Sequence, residues 1–501
     1  MRARIALLTA TLMLLPVIAQ ANDVYEYYHE FFRFDADGNL LREEPLGEHD
    51  YGLSAIMLDI DQAGNVYFGS NGNVFELTST FLPVWGDPFL LDFGIFDLVA
   101  YDSGCVVVGG KYGRNIVWIE NSIVQTTPDL PGWGNDVLID AAGGVVVTGG
   151  VEVDVYYKDL LIARYLSPGV EDWIVQFNGE ADKNDEGFAL TTDAQGNVYV
   201  AGLSSDGEYT DMVVLKYDID GVLQWSTVQG CPLGKNDAAK FIDLDDSGNV
   251  YVAGYCGFKE ARKEPMVAKF DAEGQLQWIE RLEATAEIGN YTTGLAVADD
   301  DRIVMVGMLR YQEEYEDHMF IAAYDADGQL RWQFIEERFS YNDKENTPTI
   351  AVDGQGDIYV VGAIPRGVYN TMKAIVYKFD RDGNLLWSKT DFSSDLSEGE
   401  YISSLRLDAD DSLVIAGAYE RSMPGDSDFS DDDIVDDNSF DTDDDNDDAD
   451  DDDPSASSGQ ADDDNDDGCG CAVSERNPAA PLAVVMLFVG VLVGVGRRFL
   501  D

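Results

Sequence analysis

Short apolar runs alternate with polar turns along most of this 501-residue chain. Runs of four to six apolar or β-branched residues are bounded by Asp-x-x-Gly turns, as where the turn 245–248 precedes the apolar run 249–253. Such runs and turns are typical of antiparallel strands joined in hairpins. Helical periodicity is absent from residues 24–423, so the pattern predicts an all-β domain there.

Two phrases repeat along this region. The first, Gly-Asn-Val-Tyr-Val-Ala-Gly with its variants, occurs eight times, starting at Gly64, Gly104, Gly144, Gly196, Gly248, Asp301, Gly356 and Asp411. The second, Asp-x-x-Gly followed by Trp, lies between these copies, and its spacing recurs at Trp173, Trp225, Trp278, Trp332 and Trp387. Each repeat of about 50 residues thus holds two hairpins, which is one four-stranded blade of a β-propeller.

The number of repeats predicts a single propeller of eight blades. Degenerate repeats around residues 74–125 leave seven blades as the alternative. Residues 24–34 and 39–41 match the third and fourth strands of a repeat, whereas 402–407 and 412–417 match the first and second. The two chain ends should therefore complete one blade, which closes the ring without an exposed sheet edge. We expect the recurrent Trp residues to pack blade against blade.

The repeats resemble two known types. The phrase at 196–202 and 248–254 resembles the bacterial repeats named for seven-bladed propellers, which occur in secreted and surface proteins. The hairpin that ends at Trp is similar to the tryptophan-docking repeat of pyrroloquinoline quinone enzymes, which are eight-bladed. Either resemblance implies a propeller. The second would also imply an adjacent Cys pair and a calcium site, but no two Cys residues are adjacent in this chain.

The N-terminus has the pattern of a secretory signal peptide over residues 1–21. Arg2 and Arg4 precede an apolar run too short to span a bilayer comfortably, and small residues through Ala21 fit a cleavage site. We therefore expect an exported protein whose mature chain begins near Asn22.

The C-terminus predicts a stalk and a membrane tail. Residues 424–468 contain 22 Asp and no Lys, Arg or Glu, which is typical of a disordered, solvated linker. Cys469 and Cys471 follow, then the apolar segment 479–496, then Arg497 and Arg498. One interpretation is a plain single-span anchor with the Arg pair on the cytoplasmic side.

The same tail, residues 469–501, also resembles the myxobacterial C-terminal sorting signal. That resemblance rests on the order Cys-Gly-Cys, apolar run and terminal Arg pair. It implies an envelope sorting protease that acts near the Cys residues. The expected location is the cell surface or outer envelope, with membrane attachment at least transiently through the tail.

The net charge of the chain limits the classes of binding partner. The net charge is −63, and the 22 Asp of the linker leave about −41 on the rest. Nucleic acid is excluded as a partner because its binding needs clustered Lys and Arg. Cations, cationic proteins and neutral glycans stay open.

Carboxylates in the repeats suggest two cation hypotheses. The Asp-x-Asp-Gly turns lack the Gly and Glu spacing of a helix–loop–helix calcium loop, so no cofactor is predicted and Ca²⁺ has no motif behind it. Asp also stabilises such turns by itself. A second set precedes the first strand of several repeats and could ring the channel entry, or could cap backbone amides instead: Asp50, Asp136, Asp185 and Asp237.

Cys231 and Cys256 lie in loops expected on one face of adjoining strands, so a disulfide is predicted between them. Three long insertions on that face, at 255–265, 310–317 and 365–370, bring basic and aromatic residues. The candidate binding residues are therefore Arg262, Lys263, Arg310, Tyr311, Tyr315 and Arg366.

The sequence lacks the catalytic and zinc motifs His-x-x-x-His, Gly-x-Ser-x-Gly and Cys-x-x-Cys. It therefore favours a non-enzymatic surface module that binds a glycan, matrix polymer or protein. An extracellular enzyme, either a polysaccharide lyase or hydrolase or a quinone-dependent dehydrogenase, is the alternative. An architectural envelope protein is a third hypothesis.

Overall fold

A computed structural model describes residues 25–422, except for 50–56, 71, 85–87, 92, 102–103, 111–114, 122, 126–129, 155, 233–234, 258–262, 283–289, 312–315, 341–346, 367–370 and 391–398. These described residues form 32 strands in eight antiparallel sheets of four strands each. The eight-bladed propeller is thus confirmed, and the seven-bladed alternative is wrong. The described residues contain no helix long and apolar enough to cross a membrane. The predicted signal peptide, linker and tail lie outside them.

Blades 1 and 2 are the degenerate repeats, and blade 8 joins the chain ends. Blade 1 comprises β3 (Met57–Ile60), β4 (Val66–Ser70), β5 (Asn73–Leu77) and β6 (Phe89–Leu90), and blade 2 comprises β7 (Ile95–Tyr101), β8 (Gly104–Gly109), β9 (Ile116–Glu120) and β10 (Ile123–Val124). Blade 8 comprises β31 (Gly399–Leu407), β32 (Leu413–Ser422), β1 (Tyr25–Phe34) and β2 (Leu40–His49).

Blades 3 to 7 are the regular repeats. Blade 3 comprises β11 (Trp133–Ile139), β12 (Val145–Glu152), β13 (Lys158–Ser167) and β14 (Val170–Phe177), and blade 4 comprises β15 (Asp185–Thr192), β16 (Val198–Ser205), β17 (Thr210–Tyr217) and β18 (Leu223–Gln229). Blade 5 comprises β19 (Ala238–Leu244), β20 (Val250–Gly257), β21 (Lys263–Phe270) and β22 (Leu276–Arg281), and blade 6 comprises β23 (Tyr291–Val297), β24 (Ile303–Tyr311), β25 (Glu316–Tyr324) and β26 (Leu330–Ser340). Blade 7 comprises β27 (Thr349–Val352), β28 (Ile358–Arg366), β29 (Thr371–Phe379) and β30 (Leu385–Lys389).

The chain ends close the ring as the sequence predicted. The strand order of blade 8 is β2-β1-β32-β31, and β1 pairs with β32 over ten residues, from Tyr25 opposite Ser422 to Phe34 opposite Leu413. Every strand of the eight sheets therefore lies within residues 25–422. A fragment of residues 22–423 contains all the strands of the ring, including both partners of the closing pair.

Asp-x-x-Gly turns join the first strand to the second, and the third to the fourth, in most of the regular blades. In the turn of blade 4, Asp193 Oδ1 accepts hydrogen bonds from the backbone N–H of Gln195 (3.0 Å) and Asn197 (2.9 Å), and Gly196 has a φ of +81°. Asp193 Oδ2 accepts from the Asn197 amide at 2.6 Å and the Tyr199 hydroxyl at 3.1 Å. This carboxylate is therefore satisfied within its own turn, which supports the structural interpretation of the phrase.

The recurrent Trp residues join each regular blade to the next. Each indole N–H donates to a carbonyl in the outer turn of the following blade: Trp173 to Ile219 (2.9 Å), Trp225 to Ala272 (3.0 Å), Trp278 to Ala326 (3.1 Å), Trp332 to Arg381 (3.4 Å) and Trp387 to Ala36 (3.4 Å). We call these five the tryptophan contacts. The last of them ties blade 7 to blade 8, so it also supports closure.

The hydrophobic core lies between the blades. One cluster packs Phe241 and Tyr251 of blade 5 against Leu295, Met305 and Phe320 of blade 6, all of them buried. Because β-strands present alternate side chains to opposite faces, each blade contributes to the cluster on either side.

The antiparallel order divides the molecule into two faces. The turn face carries the Asp-x-x-Gly turns. The loop face carries the hairpins between second and third strands, such as 206–209, and the connections between blades, such as 178–184. Among the candidate residues that the structure describes, Asp185, Asp237, Lys263 and Arg310 lie on or near the loop face.

Candidate functional site

Two of the predicted channel-entry carboxylates hold backbone amides. Asp185 begins β15, and its Oδ2 accepts from Gly179 N at 2.8 Å. Asp237 precedes β19, and its oxygens accept from Cys231 N at 2.6 Å and Gly257 N at 2.8 Å. Both are fully buried, and burial raises the pKa of each carboxyl. These bonds fix the connection between blades, so they favour the capping interpretation.

Asp136 does not share that position. It lies in β11 just after a β-bulge, and its Oδ2 accepts from Leu190 N of blade 4 at 2.7 Å. Asp185 and Asp237 instead come three residues before the bulges of β15 and β19. The sequence analysis grouped Asp136 with Asp185 and Asp237 because an Asn precedes each of them. The structure shows that Asp136 has a different position relative to the bulge of its strand, so the three residues are not equivalent. Asp50 lies outside the described residues.

The candidate basic and aromatic residues are only partly described. The ammonium of Lys263 lies 4.1 Å from the centre of the Tyr255 ring, and Arg310 N donates to Asn290 Oδ1 at 2.8 Å. Tyr311 ends β24 and Arg366 ends β28, but their side chains lie outside the described part. So do Arg262 and Tyr315, and so do the tail residues Ala21, Cys469, Cys471, Arg497 and Arg498.

Cys231 and Cys256 form a disulfide, with 5.8 Å between their Cα atoms. It joins the connection before β19 to the end of β20. The same positions in blade 4 hold Gly179 and Ser204, and a Cβ at Gly179 would overlap the Ser204 hydroxyl. Cys231, Cys256 and Asp237 also lie close enough to hold a metal ion, but the two sulfurs are bonded to each other.

Lysine–aromatic pairs on the loop face were missed by the sequence reasoning. The Lys183 ammonium lies 4.0 Å from the centre of the Tyr157 ring and donates to its hydroxyl at 2.8 Å. One blade further, Lys235 lies 4.4 Å from the Tyr209 ring and donates to its hydroxyl at 2.5 Å. This hydroxyl raises the pKa of Lys235, so the amine stays charged. Each pair joins a hairpin of one blade to the connection that precedes the next.

A second kind of pair occupies the ends of blades 3 and 5. Lys158 lies 5.4 Å from the Trp133 ring and forms an ion pair with Glu186. Lys263 over Tyr255 has the same strand position as Lys158. The aromatic side chains differ in origin, because Trp133 stands opposite Gly150 whereas Tyr255 stands opposite Ala238. The aromatic ring of this arrangement thus comes from the first strand in blade 3 and from the second strand in blade 5.

Lysines on the turn face have a structural use. Lys216 lies 4.7 Å from the Tyr199 ring, and Lys269 lies 5.0 Å from Tyr251 while it donates to Ala326 O at 3.2 Å. Ala326 O also accepts the indole N–H of Trp278. Lys269 therefore supports the tryptophan contact of Trp278, whereas no loop-face pair among the described residues shares a carbonyl with a Trp.

An exposed aromatic side chain lies beside the loop-face pairs. Tyr156 is 79% exposed, and its ring centre lies 6.4 Å from that of Tyr157. Asp154 Oδ1 accepts from the N–H of Tyr156 (2.7 Å) and Tyr157 (2.9 Å), which fixes the hairpin that presents both rings. The arrangement offers cations on three consecutive blades, beside the exposed ring of Tyr156 and the half-buried rings of Tyr157 and Tyr209.

Comparisons with known proteins add little beyond this description. No family model matches the chain, and no curated protein matches it. Solved structures with similarity include a eukaryotic initiation factor, at 9% identity and TM-score 0.38, covering 72% of this chain and 96% of that one. A protein of unknown function from Bacteroides caccae matches at 11% identity and TM-score 0.27, covering 73% and 94%. PorZ, a bacterial surface component of the type-IX secretion system of Porphyromonas gingivalis, matches at 13% identity and TM-score 0.28, covering 77% of this chain and 61% of PorZ.

Proposed function

We propose that this chain is an exported binding module that holds an extracellular glycan against the loop face of blades 3 to 5. The observation that carries the proposal is the set of lysine–aromatic pairs at Lys158, Lys183, Lys235 and Lys263, beside the exposed Tyr156. Aromatic rings bury flat apolar surface, and cations beside them bind polar or anionic groups of a ligand.

Charge supports the choice of this face. The chain outside the linker carries about −41, so cationic groups are scarce on it. On the loop face they are held by aromatic rings in adjacent blades, where the side chains lose little further entropy on binding. A ligand that contacts several sugar units would meet successive pairs at successive blades.

The sequence of the tail supports display at the cell surface. The acidic linker 424–468 would hold the propeller away from the membrane, and the tail from Cys469 onward would be processed by an envelope sorting protease. Protease shaving of intact cells should release the propeller from the wild type. A Cys469→Ser, Cys471→Ser variant should change the amount displayed. Equal display of both proteins would contradict the sorting proposal.

A glycan array tests the binding proposal. The fragment of residues 22–423 is applied with and without calcium, next to a surface pull-down with the same fragment. Binding to a defined group of glycans, lost in a Tyr156→Ala variant, is the expected result. Capture of a protein alone, with no glycan bound in either buffer, would contradict a glycan ligand.

A further inference from the structure

The connection that carries Lys235 lacks a bond that its counterpart in blade 4 has. In blade 4, Asn178 Nδ2 donates to Asp182 Oδ1 at 2.6 Å and so braces the connection before β15. The same two positions, 52 residues further along the chain, are Gly230 and Gly234. Glycine has no side chain to form such a bond, and it adds backbone freedom. The connection of blade 5 therefore needs another constraint to hold its lysine equally well.

The disulfide supplies that constraint. Cys231 has the position that Gly179 has in blade 4, and it is joined to Cys256 near the end of β20, with 5.8 Å between the two Cα atoms. Directly after Cys256, the carbonyl of Gly257 accepts a hydrogen bond from Lys235 N at 2.8 Å. The disulfide thus fixes the connection to the same strand end that holds the backbone of Lys235.

Asp237 links the disulfide to the hairpin of blade 4. Its Oδ2 accepts from Cys231 N at 2.6 Å, and its Oδ1 accepts from Gly257 N at 2.8 Å. Its own backbone N–H donates to Thr210 O at 2.7 Å, and Thr210 follows Tyr209, whose ring lies under the lysine ammonium. The carboxylate is fully buried, which strengthens these bonds. The backbone before and after the lysine is therefore tied to both blades.

A lysine side chain needs such an anchor to keep a fixed position. It is long and flexible, and a single cation–aromatic contact at the surface is weak. Lys235 Nζ nevertheless lies 4.4 Å from the centre of the Tyr209 ring and donates to its hydroxyl at 2.5 Å. The contact is favoured because the backbone of the lysine is already held beside the ring.

We propose that the Cys231–Cys256 disulfide positions Lys235 for ligand binding, so that this pair binds only while the disulfide is closed. The inference rests on the proposed function, which makes Lys235 a ligand-binding residue and the two Cys residues its positioning residues. Opening the disulfide takes two electrons: two thiol molecules, RSH, become RSSR, and their two protons pass to the Cys sulfurs. Disulfides form in oxidising compartments, which fits the export that the N-terminal sequence predicts.

Acetylation of lysines in the full chain, held in detergent and mapped by mass spectrometry, tests the positioning. Only a neutral amine reacts, and the hydrogen bond to the Tyr209 hydroxyl raises the pKa of Lys235, so the held lysine should react slowly. In the variant Cys231→Ser with Cys256→Ser, Lys235 should react severalfold faster, at the rate found in Tyr209→Leu. Lys183 is the internal control, because its connection has Gly179 in place of a Cys and should keep the wild-type rate.

Reduction of the folded wild type covers the case in which the double variant does not fold. The chain is treated with excess thiol, the thiol is removed, and alkylation confirms that Cys231 and Cys256 are free. Lys235 should then react as it does in the double variant, and reoxidation should restore the slow rate. An unchanged rate at Lys235 after the disulfide is opened would overturn the proposal. Equal acceleration of Lys183 and Lys235 would also overturn it, because the disulfide would then stabilise the whole face.

A glycan array with the same full chains separates this proposal from the proposed function. The double Cys variant should lose as much of the wild-type signal as Lys235→Gln does. A wild type that binds no glycan would contradict the proposed function and, with it, the role of the disulfide in binding, whereas acetylation still decides whether the disulfide positions Lys235. A double Cys variant that binds glycans as well as the wild type would leave the proposed function intact and overturn the role of the disulfide alone.

Discussion

Blades 3 to 7 and blades 1 and 2 build the same four-stranded sheet in two ways. The outer strands of the regular blades have five to eleven residues, and each carries a Trp that contacts the next blade. The outer strands of blades 1 and 2, β6 and β10, have two residues each and no Trp. The long outer strands of the regular blades let neighbouring blades touch at the outer edge of the propeller. In blades 1 and 2 the outer strands are short, and the contacts between blades come from strands nearer the centre.

The degenerate blades place their aromatic rings inside. Phe68 lies 4.4 Å from Phe31 and 4.4 Å from Phe75, between ring centres, and Trp118 lies buried on β9 at 5.4 Å from Tyr165 of blade 3. At the inner strands, Asp59 Oδ2 accepts from Ala100 N at 2.8 Å, which joins blade 1 to blade 2. The difference teaches that ring closure needs contact between every pair of neighbouring blades. That contact can be made by the outer strands, as in the regular blades, or by the inner strands, as in blades 1 and 2.

The largest expected effect is at a tryptophan contact. Trp278→Ala removes a half-buried ring and its bond to Ala326, and should lower the free energy of unfolding by about 3 kcal/mol. Trp278→Phe keeps most of the packing and loses the hydrogen bond, so about 1 kcal/mol is expected. Denaturant unfolding measures both. Losses below about 0.5 kcal/mol for Trp278→Ala would mean that the rim contacts do not hold the regular blades together.

A pair of glycines separates this contact from backbone strain. Gly274 has a φ of +78°, and a Cβ there would lie 2.6 Å from the Trp225 ring, whereas at Gly248, with a φ of +80°, the nearest atom would be 3.8 Å away. Both changes to Ala cost about 1 kcal/mol in backbone strain. Gly274→Ala should cost about 1–2 kcal/mol more, because it also displaces the ring. Equal melting temperatures for the two variants would show that the ring adapts freely.

The inner contact of the degenerate blades can be tested at Asp59. Asp59→Ala leaves Ala100 N unpaired and removes the ion pair with Arg406 of blade 8, so a loss of about 1–3 kcal/mol is expected. Amide hydrogen exchange should increase in blades 1 and 2. The matched variant Asp136→Ala should leave exchange in blades 3 and 4 nearly unchanged, because Trp173 still joins them. Equal local opening at both junctions would contradict this difference.

The last expected effect is a pH slope at Asp243, which has the strand position of Asp59 in a regular blade. Its Oδ2 accepts from Val297 N at 2.9 Å, and burial raises its pKa from 3.8 to about 7. The folded state therefore binds the proton more tightly, and stability should fall as the pH rises from about 4 to 7, by at most about 1.4 kcal/mol per pH unit. Asp243→Asn should remove that slope in melting curves. An unchanged slope would assign it to other groups.

Much of the fold could be predicted because the turns of each regular repeat are determined by residues close together in the sequence. Asp, Gly and Asn of the turn act within five residues, so their spacing shows directly in the sequence. The extent of the hairpins was less predictable. The insertion at 310–317 extends β24 to Tyr311 and starts β25 at Glu316, because pairing continues wherever two strands stay in register.

The candidate site was harder to predict for a physical reason. Lys183 and Tyr157 are 26 residues apart and in different blades, and only ring geometry brings them together. The repeat of this spacing at Lys235 and Tyr209 was the available signal. Asp136 was misplaced because a β-bulge shifts register without any mark in the sequence.

The central claim is that the loop face of blades 3 to 5 binds the ligand. The most direct measurement applies three forms of residues 22–423 to one glycan array: the wild type, Lys183→Gln with Lys235→Gln, and Lys216→Gln. Lys216 is the control because it also lies over a Tyr ring, but on the turn face. The account predicts that the double variant loses most of the wild-type signal, about tenfold or more, and that Lys216→Gln keeps it. An equal signal from the double variant and the wild type would contradict it.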